Sequence, residues 1–167
     1  MRRLRLALAL AALLSAAACG SGADSEAPPP PPQAVTLESV GHYCGMALNE
    51  HGGPKGQIFI KGRAAPVWFS SIKQVFAYTL LPEEPKAISA IYVNDMGTAG
   101  PDGAPDPSVW IDARQAYYVI EGRFIGGMGV EDAMPFSQRE RADAFARAHG
   151  GRVAAFADVP EAYVFAQ

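Results

Sequence analysis

The residues best equipped for chemistry sit at the start of the folded region, in Gly41-His42-Tyr43-Cys44-Gly45-Met46. In an extended stretch, side chains at i and i+2 share a face. The spacing of Cys44 and Met46 therefore predicts a thiolate and a thioether about 7 Å apart along that face, within reach of one ion. Gly45 between them lets the backbone bend toward it. Copper(I) is a soft cation that prefers sulfur ligands. A thiolate supplies charge and strength. A thioether supplies softness without protonation, and it leaves more easily than a second thiolate would. Such a pair suits binding followed by release.

Met128 is the best candidate for a further ligand, because Gly126, Gly127 and Gly129 around it give its sulfur little cover. His42, two positions before Cys44, is weighed as a nitrogen ligand or as support for one, with His51 behind it. Met134 reads as core, and Met96, in the loop Asn94-Asp95-Met96-Gly97, reads either way. Structural zinc wants four Cys or His ligands at tight spacing, which this chain lacks. Two other readings of Cys44 stay open. It could be a nucleophile with His42 as base, although nothing in the sequence supplies a third group to orient that base. It could equally be buried packing in a structural module.

The N-terminus sets the compartment. Arg2, Arg3 and Arg5 precede a short apolar stretch, Leu6 to Leu14, and then the small residues Ser15 to Ala18 before Cys19. That order reads as a secretory signal peptide over 1–18, too short to span a bilayer. Small residues directly before a cysteine resemble a bacterial lipobox, which predicts lipidation of Cys19 in an exported, membrane-anchored protein. The alternative is ordinary signal cleavage. Residues 19–33 contain the proline run Pro28 to Pro32 and read as a stiff tether. Cysteine arithmetic then isolates Cys44. The chain has two cysteines, and lipidation takes the first. A lone thiol in an oxidising compartment is not an internal staple; it is inert or chemically employed. Removing residues 1–18 takes away three arginines and no acid, so the formal charge moves from −3 to −6. An acidic domain has no electrostatic footprint for nucleic acid, and it would reach a membrane only through its acyl anchor.

Residues 34–167 have the length of one domain, and the elements that must position the sulfurs occur twice. Gln57 to Lys61 reads as a strand and Gly62-Arg63 as a turn. Pro66 to Phe69 reads as a second strand. Ser71 and Gln74 form a capping-box pattern, and Ile72, Val75, Phe76 and Thr79 make an apolar helical face. Ile88 to Val93 follows as a strand. The second copy has Tyr117 to Glu121, then Gly122-Arg123, then Met134-Pro135-Phe136. A helix opens on Ser137 and Glu140 with Ala142, Phe145, Ala146 and His149 on one face, and Val153 to Ala157 closes the copy. The repeat spans about 56–95 and 115–158 and predicts an α+β domain of two tandem ββαβ modules. One such unit cannot cover its own sheet, whereas two can. The copies differ between Gly-Arg and Phe-Ser, where the second holds the longer segment Phe124 to Pro135 that carries Met128.

An ordered set of motifs resembles the NosL family. It comprises Cys44-Gly45-Met46, His51-Gly52-Gly53-Pro54-Lys55-Gly56-Gln57, Trp68-Phe69-Ser70-Ser71, Asn94-Asp95-Met96-Gly97, Trp110-Ile111-Asp112-Ala113, and Gly127-Met128-Gly129 with Pro135-Phe136. The resemblance implies a periplasmic lipidated copper(I) chaperone, not an enzyme, with a fold of two ββαβ modules. It implies metal binding at Cys44 and Met46 with Met128 contributing. It also implies two partners in denitrifying bacteria, the nitrous oxide reductase apo-enzyme and its membrane maturation transporter. Many members of the family carry a second cysteine where this chain has Gly41. The expectation here is therefore a single-thiolate, more methionine-dependent site. The family is also distantly similar in fold to organomercurial lyase, whose chemistry needs a cysteine pair that this domain does not have.

Overall fold

The computed structural model describes residues 28–166. The expected signal sequence, Cys19 and the first part of the expected tether lie outside the described residues. Seven strands are present: β1 (Gly56–Ile60), β2 (Val67–Phe69), β3 (Ile88–Asn94), β4 (Trp110–Asp112), β5 (Tyr117–Ile120), β6 (Met134–Phe136) and β7 (Arg152–Ala155). Three α-helices accompany them: α1 (Ile72–Leu80), α2 (Arg139–His149) and α3 (Glu161–Val164). The first sheet has the order β2-β1-β3-β4 and the second β6-β5-β7, all pairs antiparallel. Each copy thus places its first strand in the centre, its second on one side and its post-helix strand on the other. That is the α+β arrangement of two tandem ββαβ modules. The strand β4, which the repeat does not contain, extends the first sheet by pairing Val93 with Ile111.

The modules close one domain by sharing a core. Along β5, Tyr118 and Ile120 point into a cluster with Ile58, Phe69, Ile72, Phe76, Ile91 and Val93 of the first module. Tyr117 and Val119 point the other way, into a cluster with Met134, Phe136 and Phe145 beneath α2. The two-residue period of a strand thus lets β5 serve both packing layers. Phe76 and Tyr118 meet edge to face at 4.9 Å across the module boundary. Met96, open in sequence, is buried in the second cluster beside Met134. In the first sheet, Ile58 and Ile60 face the shared core, while Gln57 and Phe59 face outward.

That outer face is covered by residues assigned in sequence to the tether. The backbone N–H of Gln33 donates to Gln57 Oε1 at 2.8 Å, and Gln57 Nε2 donates back to the Gln33 carbonyl at 3.0 Å. The Tyr92 hydroxyl donates to the Pro30 carbonyl at 2.9 Å. Gln57 is fully buried, so its amide must find partners on folding, and the extended Pro30–Gln33 segment supplies them. The packed region therefore begins a few residues before Ala34.

Both helices lie where the periodicity puts them, but neither capping box forms. Ser71 is the N-cap of α1 and makes no side-chain cap bond, and α2 starts after Gln138. The carboxylate of Asp132 caps α1 instead, accepting from Ile72 N at 3.0 Å and Lys73 N at 2.8 Å. In the other direction, Asp95 at the end of β3 accepts from the backbone and hydroxyl of Ser137 ahead of α2. Each module thus braces the helix start of the other with a buried aspartate. A capping box is a local contact; a better-placed acceptor from the other module displaces it.

Candidate metal centre

Gly41 to Met46 is not extended. Val40 pairs with Ala47 in an antiparallel bridge, Gly41 N donates to Met46 O at 2.9 Å, and Gly45 N donates to Gly41 O at 2.8 Å. The segment is a tight hairpin turn with Gly45 at φ +67, a conformation that favours glycine. The alternation that would have placed His42, Cys44 and Met46 on one face is therefore absent, and this corrects the sequence expectation. The turn is fixed to the first sheet where Gly41 bridges Trp68 and His42 N donates to Trp68 O at 2.8 Å.

Its thiol points inward. Cys44 is half-buried, with Sγ 3.4 Å from the hydroxyl of Ser70, a residue with no exposed surface at the end of β2. A Cβ added to Gly41 would lie 2.5 Å from that sulfur, so the bare backbone of Gly41 makes the thiol's pocket. On the other side, the same Ser70 hydroxyl donates to Met128 Sδ at 3.1 Å. The thiol and a thioether thus flank one oxygen. Gln74 Oε1, 3.4 Å from Ser70 Oγ, offers that hydroxyl another acceptor.

Met128 is carried on a second hairpin. Ile125 bridges Glu131, Gly126 N donates to Val130 O at 2.8 Å, and Gly129 N to Gly126 O at 3.0 Å. Two glycine segments let this hairpin seat closely. A Cβ on Gly127 would lie 2.1 Å from the carbonyl oxygen of Gly52, which no side chain could tolerate without moving backbone. The Gly52-Gly53 carbonyls are tied from below by the buried Lys55 ammonium, at 2.6 and 2.9 Å. Burial lowers the Lys55 pKa to about 8, partly offset by the attraction of Asp132. His51 Nδ1 lies 3.2 Å from the Gly127 carbonyl. That oxygen can only accept, so Nδ1 is the donor of this bond. Nε2 is buried with no hydrogen-bond partner among the described residues. A histidine held by Nδ1–H to a carbonyl with Nε2 bare is prepared to ligate a metal.

The other sequence candidates are placed differently. Met46 is 37% exposed at the surface of its hairpin. His42 Nε2 lies 3.0 Å from Glu84 Oε1, and its ring packs edge to face on Tyr78 and Tyr43. Ligation by His42 would have to use Nδ1. Cys19 lies outside the described residues. Among the described residues there is no group of three or more His, Cys, Asp or Glu side chains able to hold a metal. No helix among them is long and apolar enough to cross a membrane. Ser70 was missed as a site residue. Its only signal was the repeated Phe-Ser pair, Phe69-Ser70 and Phe136-Ser137, which marks the junction of strand and helix in both modules.

The fold and site define a small tandem-module α+β domain that sets one thiol against one thioether, with an imidazole beside the thioether's loop. The chain belongs to the NosL family, whose family model matches residues 32–164. It is 48% identical over 133 residues to the copper-binding lipoprotein NosL of Achromobacter cycloclastes, covering 79% of this chain and 69% of that protein. To the copper-binding lipoprotein NosL of Stutzerimonas stutzeri it is 36% identical over 121 residues, covering 72% of this chain and 62% of that protein. Among solved structures it is similar to the crystal structure of the copper chaperone NosL from Shewanella denitrificans. There the TM-score is 0.74 and the identity 33%, over 81% of this chain and 99% of that one. It is also similar to the solution structure of apo-NosL from Achromobacter cycloclastes, with a TM-score of 0.50 and 45% identity over 65% of this chain and 87% of that one.

Proposed function

We propose that this protein is a copper(I) metallochaperone that delivers the ion for maturation of the copper centres of nitrous oxide reductase. The observation that carries the reading is the placement of Cys44 Sγ and Met128 Sδ at 3.4 and 3.1 Å from one buried hydroxyl. Two soft donors converging on a half-buried point suit a soft monovalent cation. The thiolate of Cys44 anchors the ion, Met128 completes a sulfur pair, and His51, tied to the Met128 loop through Nδ1, offers Nε2 as a nitrogen donor. Met46, exposed on the Cys44 hairpin, meets the ion as it enters or leaves. Thioether ligands keep the complex labile, which a carrier needs. The relatives named above, copper-binding lipoproteins and a copper chaperone, support the same reading.

By this reading the domain is held in the periplasm by a lipid on Cys19. It serves the apo-enzyme of the reductase and its membrane maturation transporter, and it performs no catalysis of its own. The thiol-enzyme alternative has His42 as base. The structure gives it no support, since Cys44 hydrogen-bonds Ser70 and the His42 ring is held by Glu84.

Competition against a chromophoric copper(I) chelator tests the proposal. The protein is expected to bind one ion. Cys44→Ser should lose most of the affinity, Met128→Leu and His51→Ala a smaller part, and Met46→Leu the least. Affinity unchanged in Cys44→Ser would overturn the site.

A further inference from the structure

We infer that Glu84 is the positioning residue of the Cys44 turn. One oxygen of its carboxylate, Oε1, accepts from the Tyr43 hydroxyl at 2.9 Å and lies 3.0 Å from His42 Nε2. These are the two residues directly before Cys44. The Glu84 side chain is only 13% exposed, and a carboxylate is a strong acceptor for both partners.

The anchor is itself held rigidly. Glu84 lies in the connection between α1 and β3, where Glu84 N donates to Leu81 O at 3.3 Å. The Lys86 ammonium closes that connection by donating to Thr79 O at 3.0 Å and to Leu81 O. The chain of contacts runs from the end of α1 through Glu84 to the turn. Without Glu84, the turn keeps its backbone bonds at Gly41, His42 and Gly45, the Cys44–Ser70 contact and the packing of its rings on Phe69 and Tyr78. Its exposed rings would then have no polar tie to the body of the domain. The Cys44 thiol needs a fixed direction to stay against Ser70, and a misdirected donor loses affinity without any loss of fold. Glu84 acts through the two aromatic residues it holds.

The metal arm of the test rests on the copper reading above, so a metal-free measurement accompanies it. In the metal-free protein, alkylation of Cys44 by iodoacetamide should accelerate about fivefold in Glu84→Ala, the scale of one lost hydrogen bond. Copper(I) affinity should fall by a similar factor. Glu84→Gln keeps an acceptor oxygen and should restore both to within twofold of wild type. Tyr43→Phe removes one of the two bonds and keeps the ring, so it should lie between, and it guards against a Glu84→Ala chain that fails to fold. Thermal midpoints should stay close together across the folded variants. Faster alkylation with rescue by Glu84→Gln, in a protein that binds no copper, would uphold the positioning role and sink the copper reading. Wild-type alkylation and affinity in both Glu84→Ala and Tyr43→Phe would overturn the role of Glu84.

Discussion

Cys44 and Met128 approach the same hydroxyl, that of Ser70, from two different hairpins, one ahead of the first module and one inside the second. Ser70 is the spacer between them. Ser70→Ala should cost about 1 kcal/mol of stability, since a buried hydroxyl with several partners is removed. Copper(I) affinity should change less than in Cys44→Ser. Denaturant unfolding and chelator competition read the two quantities. An affinity loss as large as that of Cys44→Ser would make Ser70 a ligand and not a spacer.

Two glycines separate the site from the fold. In Gly41→Ala the new methyl would clash only with the far end of the Cys44 side chain, which can rotate away, and would touch Ser70 and Leu48 at ordinary distance. Stability should change by under about 1 kcal/mol while copper affinity falls, because the thiol loses its pocket. In Gly127→Ala the methyl meets the Gly52 backbone, which cannot give so easily. Here both stability, by about 2 kcal/mol, and affinity should fall. Equal stability losses in the two variants would refute this distinction.

Asp132 is fully buried and serves as the α1 cap. Burial raises its pKa, opposed by the backbone bonds from Lys73, Ile72 and Ala133. Asp132→Ala would leave those amides without their acceptor and the Lys55 charge without its nearby carboxylate. A loss of about 3 kcal/mol is expected, with a thermal midpoint lower by about 10 °C. Asp132→Asn, which keeps one acceptor oxygen, should lose less. Calorimetry on both variants checks this, and a midpoint unchanged in Asp132→Ala would show that water caps the helix equally well.

The Lys55 ammonium should make stability rise with pH. Its pKa falls from 10.5 to about 8 on folding, chiefly through burial. Between about pH 8 and 10.5 the unfolded chain therefore binds a proton that the folded chain has released, and stability increases with pH there. Above pH 10 the buried tyrosines oppose this, because burial raises the pKa of Tyr118 and Tyr163 in the folded state. The net rise should fall between pH 8 and 10 and amount to at most about 3 kcal/mol. Lys55→Met should flatten it. A rise of the same size in that variant would assign the effect to another group.

Much of the fold was legible because it depends on short-range pattern. The apolar spacing of Ile72, Val75 and Phe76 and the double Gly-Arg, Phe-Ser order each carry their meaning within a few residues. Two further assignments rested on such local spacing and were displaced. The Ser71–Gln74 box gave way to Asp132, and the supposed extended face of His42, Cys44 and Met46 became a turn. Both depended on which partner the rest of the chain would bring, and a local pattern cannot express that.

By itself, then, the sequence determined the repeat, the candidate thiol Cys44 and the glycine-rich loop that carries Met128. Those follow from residue type and from periods of two and 3.6 that the backbone imposes locally. Only the tertiary structure decided that Cys44 and Met128 meet the one hydroxyl of Ser70, that His51 Nε2 is buried, and that Glu84 bonds the two residues before Cys44. These pairings join segments far apart in the chain. They exist because burying one shared core forces two ββαβ modules together and, with them, the hairpins at their margin.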